Sequence, residues 1–292
     1  MNNIGYQNNI SFSGHCGCEY LKVGKNKIML TTETAFGRGF EELDKAVKEV
    51  NKRFKNAKVK RIVVGACSTG EEVWSYKMLM GDNPVEILGF DVSPNVLKIA
   101  KSATYELLPK DSKMVKLFGD SDGYQDIFLA YDKPNKTVQE TRLYKMFHKM
   151  FEEVEFKSWN PFKKARKIFR LKNQQPDCKF INADIRNLPP EITDGEKCHI
   201  FSFRNSLYHI LTFHNGVTDE ARESKKIKPV LDKIFKDVNK SLQKGGLFIM
   251  GKNECYQCPN IKLVTKALLN NGFRPRVHNE KFCNKWEKTA EI

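Results

Sequence analysis

The stretch VVGACSTGEEVWSY, Val63 to Tyr76, runs from small and apolar residues into Ser-Thr-Gly and then into two carboxylates, Glu71 and Glu72, where a helix should begin. Two further acids stand in comparable places: Asp91 closes the apolar run VEILGFD, and Asp184 follows CKFINA. The stretch has neither the GxGxxG nor the Walker spacing that turns backbone amides toward a phosphate, and paired glutamates would repel one. They suit a cationic ligand, and the sulfonium and α-ammonium of S-adenosylmethionine are both positive. An acid at Asp91 can accept hydrogen bonds from two ribose hydroxyls, and one at Asp184 can receive an adenine amino group. Each acid also has a plainer reading. Glu71 and Glu72 favour a helix N-terminus through its dipole, Asp91 can cap the helix after it, and Asp184 can be a turn residue. All three at successive strand ends favour the site.

Such a site needs elements that bring those ends together. KRIVVGAC (Lys60–Cys67) reads as a buried strand followed by a helix from Glu71 to Met80; VEILGFDVS (Val85–Ser93) reads as a second strand, with a helix opening at Ser93-Pro94. This βαβα unit predicts a parallel sheet with helices on its faces, whose ligand crevice lies at the carboxyl ends of the strands. CKFINADI and CHIFSFRN predict further strands, followed by a helix over Lys228–Leu242, a turn at QKGG, the strand LFIMG and a final antiparallel hairpin. Residues from about 107 to 175 interrupt the sheet order.

The 292 residues, 40% of them hydrophobic and 20 of them Phe, are enough to bury one large core or two modest ones. The longest apolar runs are strand-sized, short of the roughly 20 residues that span a bilayer, and the N-terminus reads as no secretory signal. Eight scattered cysteines read as reduced thiols, and the cytoplasm is the expected compartment. His15, Cys16, Cys18, Cys255, Cys258 and Cys283 have spacings compatible with zinc, against the alternative of idle thiols, and no metal is expected. The charge is +15, from 50 Lys+Arg against 35 Asp+Glu. It is densest in Arg142–Lys172, with ten basic residues, three acids and seven aromatics. Such a segment can grip nucleic acid or another acidic partner. The plainer reading is a solvated amphipathic helix, because Leu143, Met146, Phe147, Met150 and Phe151 recur at helical spacing.

From Leu30 to about Glu254 the chain resembles the CheR-type chemotaxis receptor methyltransferases, which methylate protein glutamates from S-adenosylmethionine. TTETAFGRGFEEL is similar to that family's Asn-x-Thr-x-Phe-Phe-Arg segment, ACSTGEEVWSY to its Ala/Gly-Cys-Ser-Thr-Gly-Glu-Glu-Pro-Tyr-Ser, and ILGFDVSPNVLKIAKSATY to its second strand and helix. IFSFRNSLYHI is similar to its Phe-Cys-Arg-Asn-Val-Leu-Ile-Tyr-Phe, and LQKGGLFIMGKNE to its Leu-x-Pro-Gly-Gly motif. The resemblance implies a Rossmann-like class I methyltransferase fold: a mostly parallel seven-stranded sheet with a C-terminal antiparallel hairpin, here carrying a helical or irregular insertion. It implies an N-terminal segment (residues 1–55) closing the cofactor site of a methyltransferase domain (residues 56–292), S-adenosylmethionine as cofactor and a protein substrate. Thr34 and Arg38 would close over the methionine moiety, Arg38 facing its carboxylate. Glu71 would take the α-ammonium, Asp91 the ribose, Asp184 and Ile185 the adenine region, and Asn205 and Ser206 would line the wall beside the methyl. Arg204 would orient an acceptor carboxylate through a bidentate pair.

Departures from the family pattern fall mainly on the acceptor side. The family's Tyr, five residues after its Arg, is His209 here, and the Tyr stands at 208, about 100° away on a helix. His209 can be a general base for a hydroxyl, amine or thiol acceptor, or a partly buried histidine bonded to a neighbour. Thr32, Gly37 and Val73 replace the family's Asn, second Phe and Pro, and Leu107–Lys172 is unlike the family's small β-subdomain. A nucleic-acid methyltransferase using the basic insertion, and a non-catalytic S-adenosylmethionine-binding adaptor, are the alternatives.

Overall fold

Val-, Ile- and Phe-rich runs of five to seven residues, bounded by charge and turns, fit strands buried on both faces. The computed structural model describes residues 19–23, 26–30, 36–107, 142–154, 167–207, 210–211, 220–251, 261–276 and 284–292. A hairpin of β1 (Glu19–Val23) and β2 (Asn26–Leu30) precedes α1 (Phe40–Arg53). Then come β3 (Lys60–Gly65), α2 (Glu71–Met80), β4 (Val85–Asp91), α3 (Pro94–Ser102) and β5 (Thr104–Leu107). The insertion supplies α4 (Arg142–Met150), β6 (Phe151–Val154) and β7 (Lys167–Leu171). The chain continues through β8 (Cys178–Asn182), α5 (Pro190–Thr193), β9 (Cys198–Phe203), α6 (Glu220–Ser241) and β10 (Leu242–Met250). It ends with α7 (Ile261–Asn270), β11 (Phe273–Pro275) and β12 (Lys285–Lys288).

The main sheet has seven strands in the order β11-β12-β10-β9-β3-β4-β8. β8, β4, β3, β9 and β10 pair in parallel, and β12 runs antiparallel to both of its neighbours. The expected mixed α/β sheet with its C-terminal antiparallel hairpin is therefore present. After β3 the chain builds outward through β4 and β8, then returns to β9 on the other side, so a topological switch point falls between β3 and β9. Alternation along each strand divides the core into two layers. Ile62, Val64, Ile200, Leu247 and Ile249 face one, and Val63, Phe201, Phe203, Phe248 and Met250 the other. α2 lies within the first layer, with Val73, Trp74, Ser75, Tyr76, Met78, Leu79 and Met80 all buried. A helix covered on nearly every side has no reason to carry a polar stripe, which is why EEVWSYKMLM shows none.

The insertion departs from the expected helical or irregular segment. Its described ends form a three-stranded antiparallel sheet, β5-β7-β6, with α4 packed beside it. The basic helix is amphipathic as its spacing predicts: Leu143 and Phe147 are buried, while Arg142 pairs with Asp44 and Lys149 with Asp82. Phe36, in the segment that enters α1, is held edge-on by Tyr105, Phe147 and Phe151 at 4.9, 5.0 and 5.4 Å. Burying one such ring contributes roughly 1.5–3 kcal/mol, enough to anchor a short segment. Gly37 has a φ of 67°, and a Cβ there would stand 2.4 Å from Leu143 Cδ2. Leu143 therefore occupies the space in which a second aromatic side chain would stand, and the glycine at 37 goes with the insertion. QKGG, expected as a turn before a strand, instead lies inside β10 as a register shift between Leu242 and Leu247.

α1 is braced against the C-terminal hairpin by charge. Glu49 meets Arg53, Arg276 and Lys285, and Glu287 meets Arg53 and Arg276. Burial alone would raise the Glu49 pKa, but the Lys285 hydrogen bond and the charges of Lys285, Arg53 and Arg276 outweigh it and hold it below its ordinary 4.5. A carboxylate depressed on folding stabilises above its unfolded pKa, and that stabilisation is lost as the pH falls through the folded one. Glu49→Gln should therefore flatten the acid limb of a Tm-against-pH profile below about 4.5 and change Tm least at the acid end, which thermal melts across that range would read.

Candidate functional site

The carboxyl ends of β9, β3, β4 and β8 lie side by side in the sheet. Three strand spacings of ~4.8 Å make a row roughly 14 Å long. The residues at and just after these four strand ends are Arg204 to Ser206, Ala66 to Glu71, Asp91 to Ser93, and Ala183 to Asp184.

The β3–α2 turn is built from backbone that side chains seldom tolerate. Ala66 and Ser68 have φ of 50° and 49°, ahead of Gly70 at the N-cap of α2. Left-handed non-glycine residues persist only where their surroundings over-determine them, and here one carboxylate does much of that. Asp91 Oδ2 accepts from Ser68 N and Oδ1 from Ser93 N, both at 2.9 Å. Cys67 N donates to Phe90 O at 3.0 Å. From the other side, Trp74 Nε1 donates to Tyr105 OH at 2.7 Å, which donates to Thr69 O at 2.8 Å. Tyr105 starts the insertion's sheet, so the insertion helps to hold the turn.

Within this frame Glu71 and Glu72 diverge. Both Glu71 oxygens accept from Thr69 Oγ1, at 2.8 and 2.6 Å, at the mouth of the turn. Glu72 points inward: Oε1 accepts from Ser202 Oγ at 2.6 Å and Oε2 from Arg204 Nη1 at 3.1 Å. The same Nη1 donates to the backbone carbonyl of Arg38 at 2.8 Å. The Arg204 side chain is only 4% exposed. Burial would lower its pKa, but Glu72, with Tyr76 and Glu42, outweighs this and raises it; it stays charged. The role expected for Arg204, a bidentate grip on an acceptor carboxylate, meets a guanidinium already buried and engaged. Glu72, expected as a helix-start carboxylate with a supporting part, has a specific partner.

The remaining expected residues fall as follows. Asp91 is at the end of β4 and buried, with its backbone carbonyl also taking Asn182 Nδ2 at 2.9 Å. Burial raises its pKa, against the lowering effect of N–H bonds from Ser93, Ser68 and Val92; with three of its roughly four acceptor sites taken, the carboxylate keeps one lone pair for a ligand hydroxyl. Asp184 is in the row but accepts from Arg186 N at 2.9 Å and forms an ion pair with the Arg186 guanidinium. Ile185 is buried in the second core layer. Asn205 has a φ of 55° with its side chain against Gly251, and Ser206 Oγ donates to Arg204 O at 3.2 Å. Arg38 meets the end of β9 through its carbonyl, which accepts from Arg204. Thr34, Tyr208 and His209 lie outside the described residues, as do His15, Cys16, Cys18, Cys255, Cys258 and Cys283. Among the described residues no cluster of His, Cys, Asp or Glu could hold a metal, and no helix is long and apolar enough to cross a membrane. Burial, Asp91, Glu71 and Glu72 push the Cys67 thiol well above its usual range. Ser68, Ser202 and Tyr105 are the contributors that reading the sequence missed; only Tyr105, in the SATY that ends the second helix, left a signal there. A broad cleft lined by Lys77, Asp82, Arg142, Met146, Lys149 and Asp177 borders the far end of α2, away from the acids, and is not part of this row.

The donor set is acidic and hydrogen-bond accepting, which fits a cationic ligand with ribose hydroxyls and not a polyphosphate. Residues 33–117 match the family described as CheR methyltransferase, SAM binding domain. No curated protein matches the chain. Among solved structures the chain is similar to TrmN from Thermus thermophilus, at 10% identity over 82% of this chain and 47% of that one, with a TM-score of 0.37. It is similar to the CurJ carbon methyltransferase at 11% identity over 85% of this chain and 54% of that one, with a TM-score of 0.41. A SAM-dependent methyltransferase from Methanosarcina mazei is 10% identical over 80% of this chain and 95% of that one, with a TM-score of 0.36. The chain thus spans about half the length of the first two. The family match bears out the resemblance read from the sequence, its methyltransferase class and S-adenosylmethionine as the ligand.

Asp91→Ala leaves the Ser68 and Ser93 N–H groups without their acceptor. It should lower stability by about 1–3 kcal/mol, read as a lower urea midpoint at unchanged slope, and weaken S-adenosylmethionine binding at least about tenfold, or 1.4 kcal/mol, by titration calorimetry.

Proposed function

We propose that the chain transfers a methyl group from S-adenosylmethionine to a protein side chain. The observation that carries the donor half is the row of Glu71, Asp91 and Asp184 after three adjacent parallel strands, inside or beside the segment that matches the CheR S-adenosylmethionine-binding domain. When bound, the donor supplies an activated methyl on a positive sulfur, which leaves with the electron pair of the broken carbon–sulfur bond. Glu71, its oxygens gathered by Thr69, offers its charge to the α-ammonium. Asp91 keeps its carboxylate fixed by backbone amides, those of Ser68 and Ser93 among them, and offers its remaining lone pair to the ribose. Asp184 and Ile185 border the adenine end. An in-line displacement asks the protein mainly for position, and proximity provides most of the acceleration.

The protein acceptor is supported by the resemblance of IFSFRNSLYHI and of the closing segment to the receptor methyltransferases. A carboxylate acceptor needs no base; a hydroxyl, amine or thiol would call on His209. The engagement of Arg204 by Glu72 favours an acceptor oriented by groups other than that arginine. The basic insertion gives less support to a nucleic-acid acceptor, because Arg142, Lys149 and Arg170 pair with Asp44, Asp82 and Glu152.

Titration calorimetry should find micromolar-range S-adenosylmethionine binding that Glu71→Ala weakens roughly tenfold or more, the loss of one hydrogen-bonded charge pair. Incubation with methyl-labelled donor and fractionated protein and RNA should label protein. Label released by mild alkali identifies a carboxyl ester; label in RNA, or binding with no transfer, overturns the protein acceptor. Binding that is absent, or unchanged in Glu71→Ala, overturns the donor assignment.

A further inference from the structure

We propose that Glu72, acting through Arg204, fixes the closing segment over the donor pocket and so serves as a positioning residue. What lies beneath that segment rests on the S-adenosylmethionine reading; the coupling itself stands on the geometry of the chain. Ser202 Oγ holds one Glu72 oxygen at 2.6 Å, and the other receives Arg204 Nη1 at 3.1 Å. Nη1 also binds the Arg38 carbonyl at 2.8 Å. A partly buried chain of contacts thus runs from β9 through the first turn of α2 to the backbone of the closing segment.

The next residue shows how closely that backbone rests on the guanidinium. A Cβ on Gly39 would stand 2.3 Å from Arg204 Nη2, and Gly39 has a φ of 68°. Gly39 is also the N-cap of α1, so the guanidinium defines where the segment ends and the helix begins. Arg38 carries the held carbonyl, and its side chain is the one expected at the donor's carboxylate. Adjacent residues on a helix point about 100° apart, which lets Glu71 face the pocket mouth while Glu72 faces the interior. One helix turn therefore serves both the donor's ammonium and the segment that covers it. Phe36 anchors the same segment separately, among Tyr105, Phe147 and Phe151, so loosening the Arg204 contact frees its last residues without detaching it.

The Arg38–Gly39 bond is a trypsin site, and its carbonyl is the one that Arg204 holds. Limited trypsinolysis of the full native chain, with the fragment ending at Arg38 followed by mass spectrometry, reads the contact directly. Glu72→Gln should speed this cleavage at least about fivefold, as expected for a local opening, and Ser202→Ala, which leaves the Arg204 pair in place, should have a smaller effect. Cleavage at the wild-type rate in Glu72→Gln overturns the proposal, as does an equal acceleration at tryptic bonds in α6 and α7, which would report general loosening. In the methyl-transfer assay Glu72→Gln should raise the KM for S-adenosylmethionine about tenfold with kcat within about threefold; a loss carried by kcat alone overturns the positioning role. The trypsin arm needs no cofactor, so a wild-type chain that fails to bind S-adenosylmethionine sinks the donor reading while the trypsin result still decides the coupling.

Discussion

One buried carboxylate ties together the loops at the carboxyl end of the sheet. Asp91 closes β4 and accepts from the amide of Ser68 in the turn after β3 and from that of Ser93 at the head of α3. Two loops at the carboxyl end of the sheet are thereby referenced to a single group. Burying that charge is unfavourable on its own, as its raised pKa records, and the amides that offset it are the ones made available by the left-handed Ser68 and its neighbours. Strain in the turn and burial of the acid compensate each other.

The second organising pair is Glu72 with Arg204. A buried ion pair is weak ground for stability, because desolvation offsets the attraction, and its better-attested use is to select one arrangement over others. Here the arrangement is specific. Two helix starts, those of α1 and α2, converge on the guanidinium, and the end of β9 supplies it. Glu71 and Glu72, alike in type and adjacent in sequence, are separated in role by the rotation of the helix.

The main sheet was legible in the sequence because its strands are continuous apolar runs whose lengths exclude helices, and because α2 and α3 start at Gly70-Glu71 and Ser93-Pro94, where local chemistry dictates a start. Glu71, Asp91 and Asp184 were legible as the acids after those runs. The Glu72–Arg204 contact was not: its partners are 132 residues apart, and nothing in either neighbourhood names the other. The insertion's sheet was hidden for a related reason. β5 and β7 are four and five residues long and lie far apart in the chain, too short for either to show a strand pattern by itself. QKGG reads as a turn from its paired glycines, and Gly245 does adopt a φ of 80°, yet β9 pairs with the strand on both sides of it.

Gly37 and Leu143 make the closing segment and the insertion a matched set. A leucine reaches from α4 into the space that a side chain at 37 would need, and the aromatic anchor at 36 is gripped by rings from the same insertion. The two pieces are therefore not interchangeable parts. A chimera with a Phe-Phe-Arg segment in place of Phe36-Gly37-Arg38 would collide with this insertion, and one without the insertion's Phe147 and Phe151 would leave Phe36 without a socket, so exchange of either module succeeds only when both travel together.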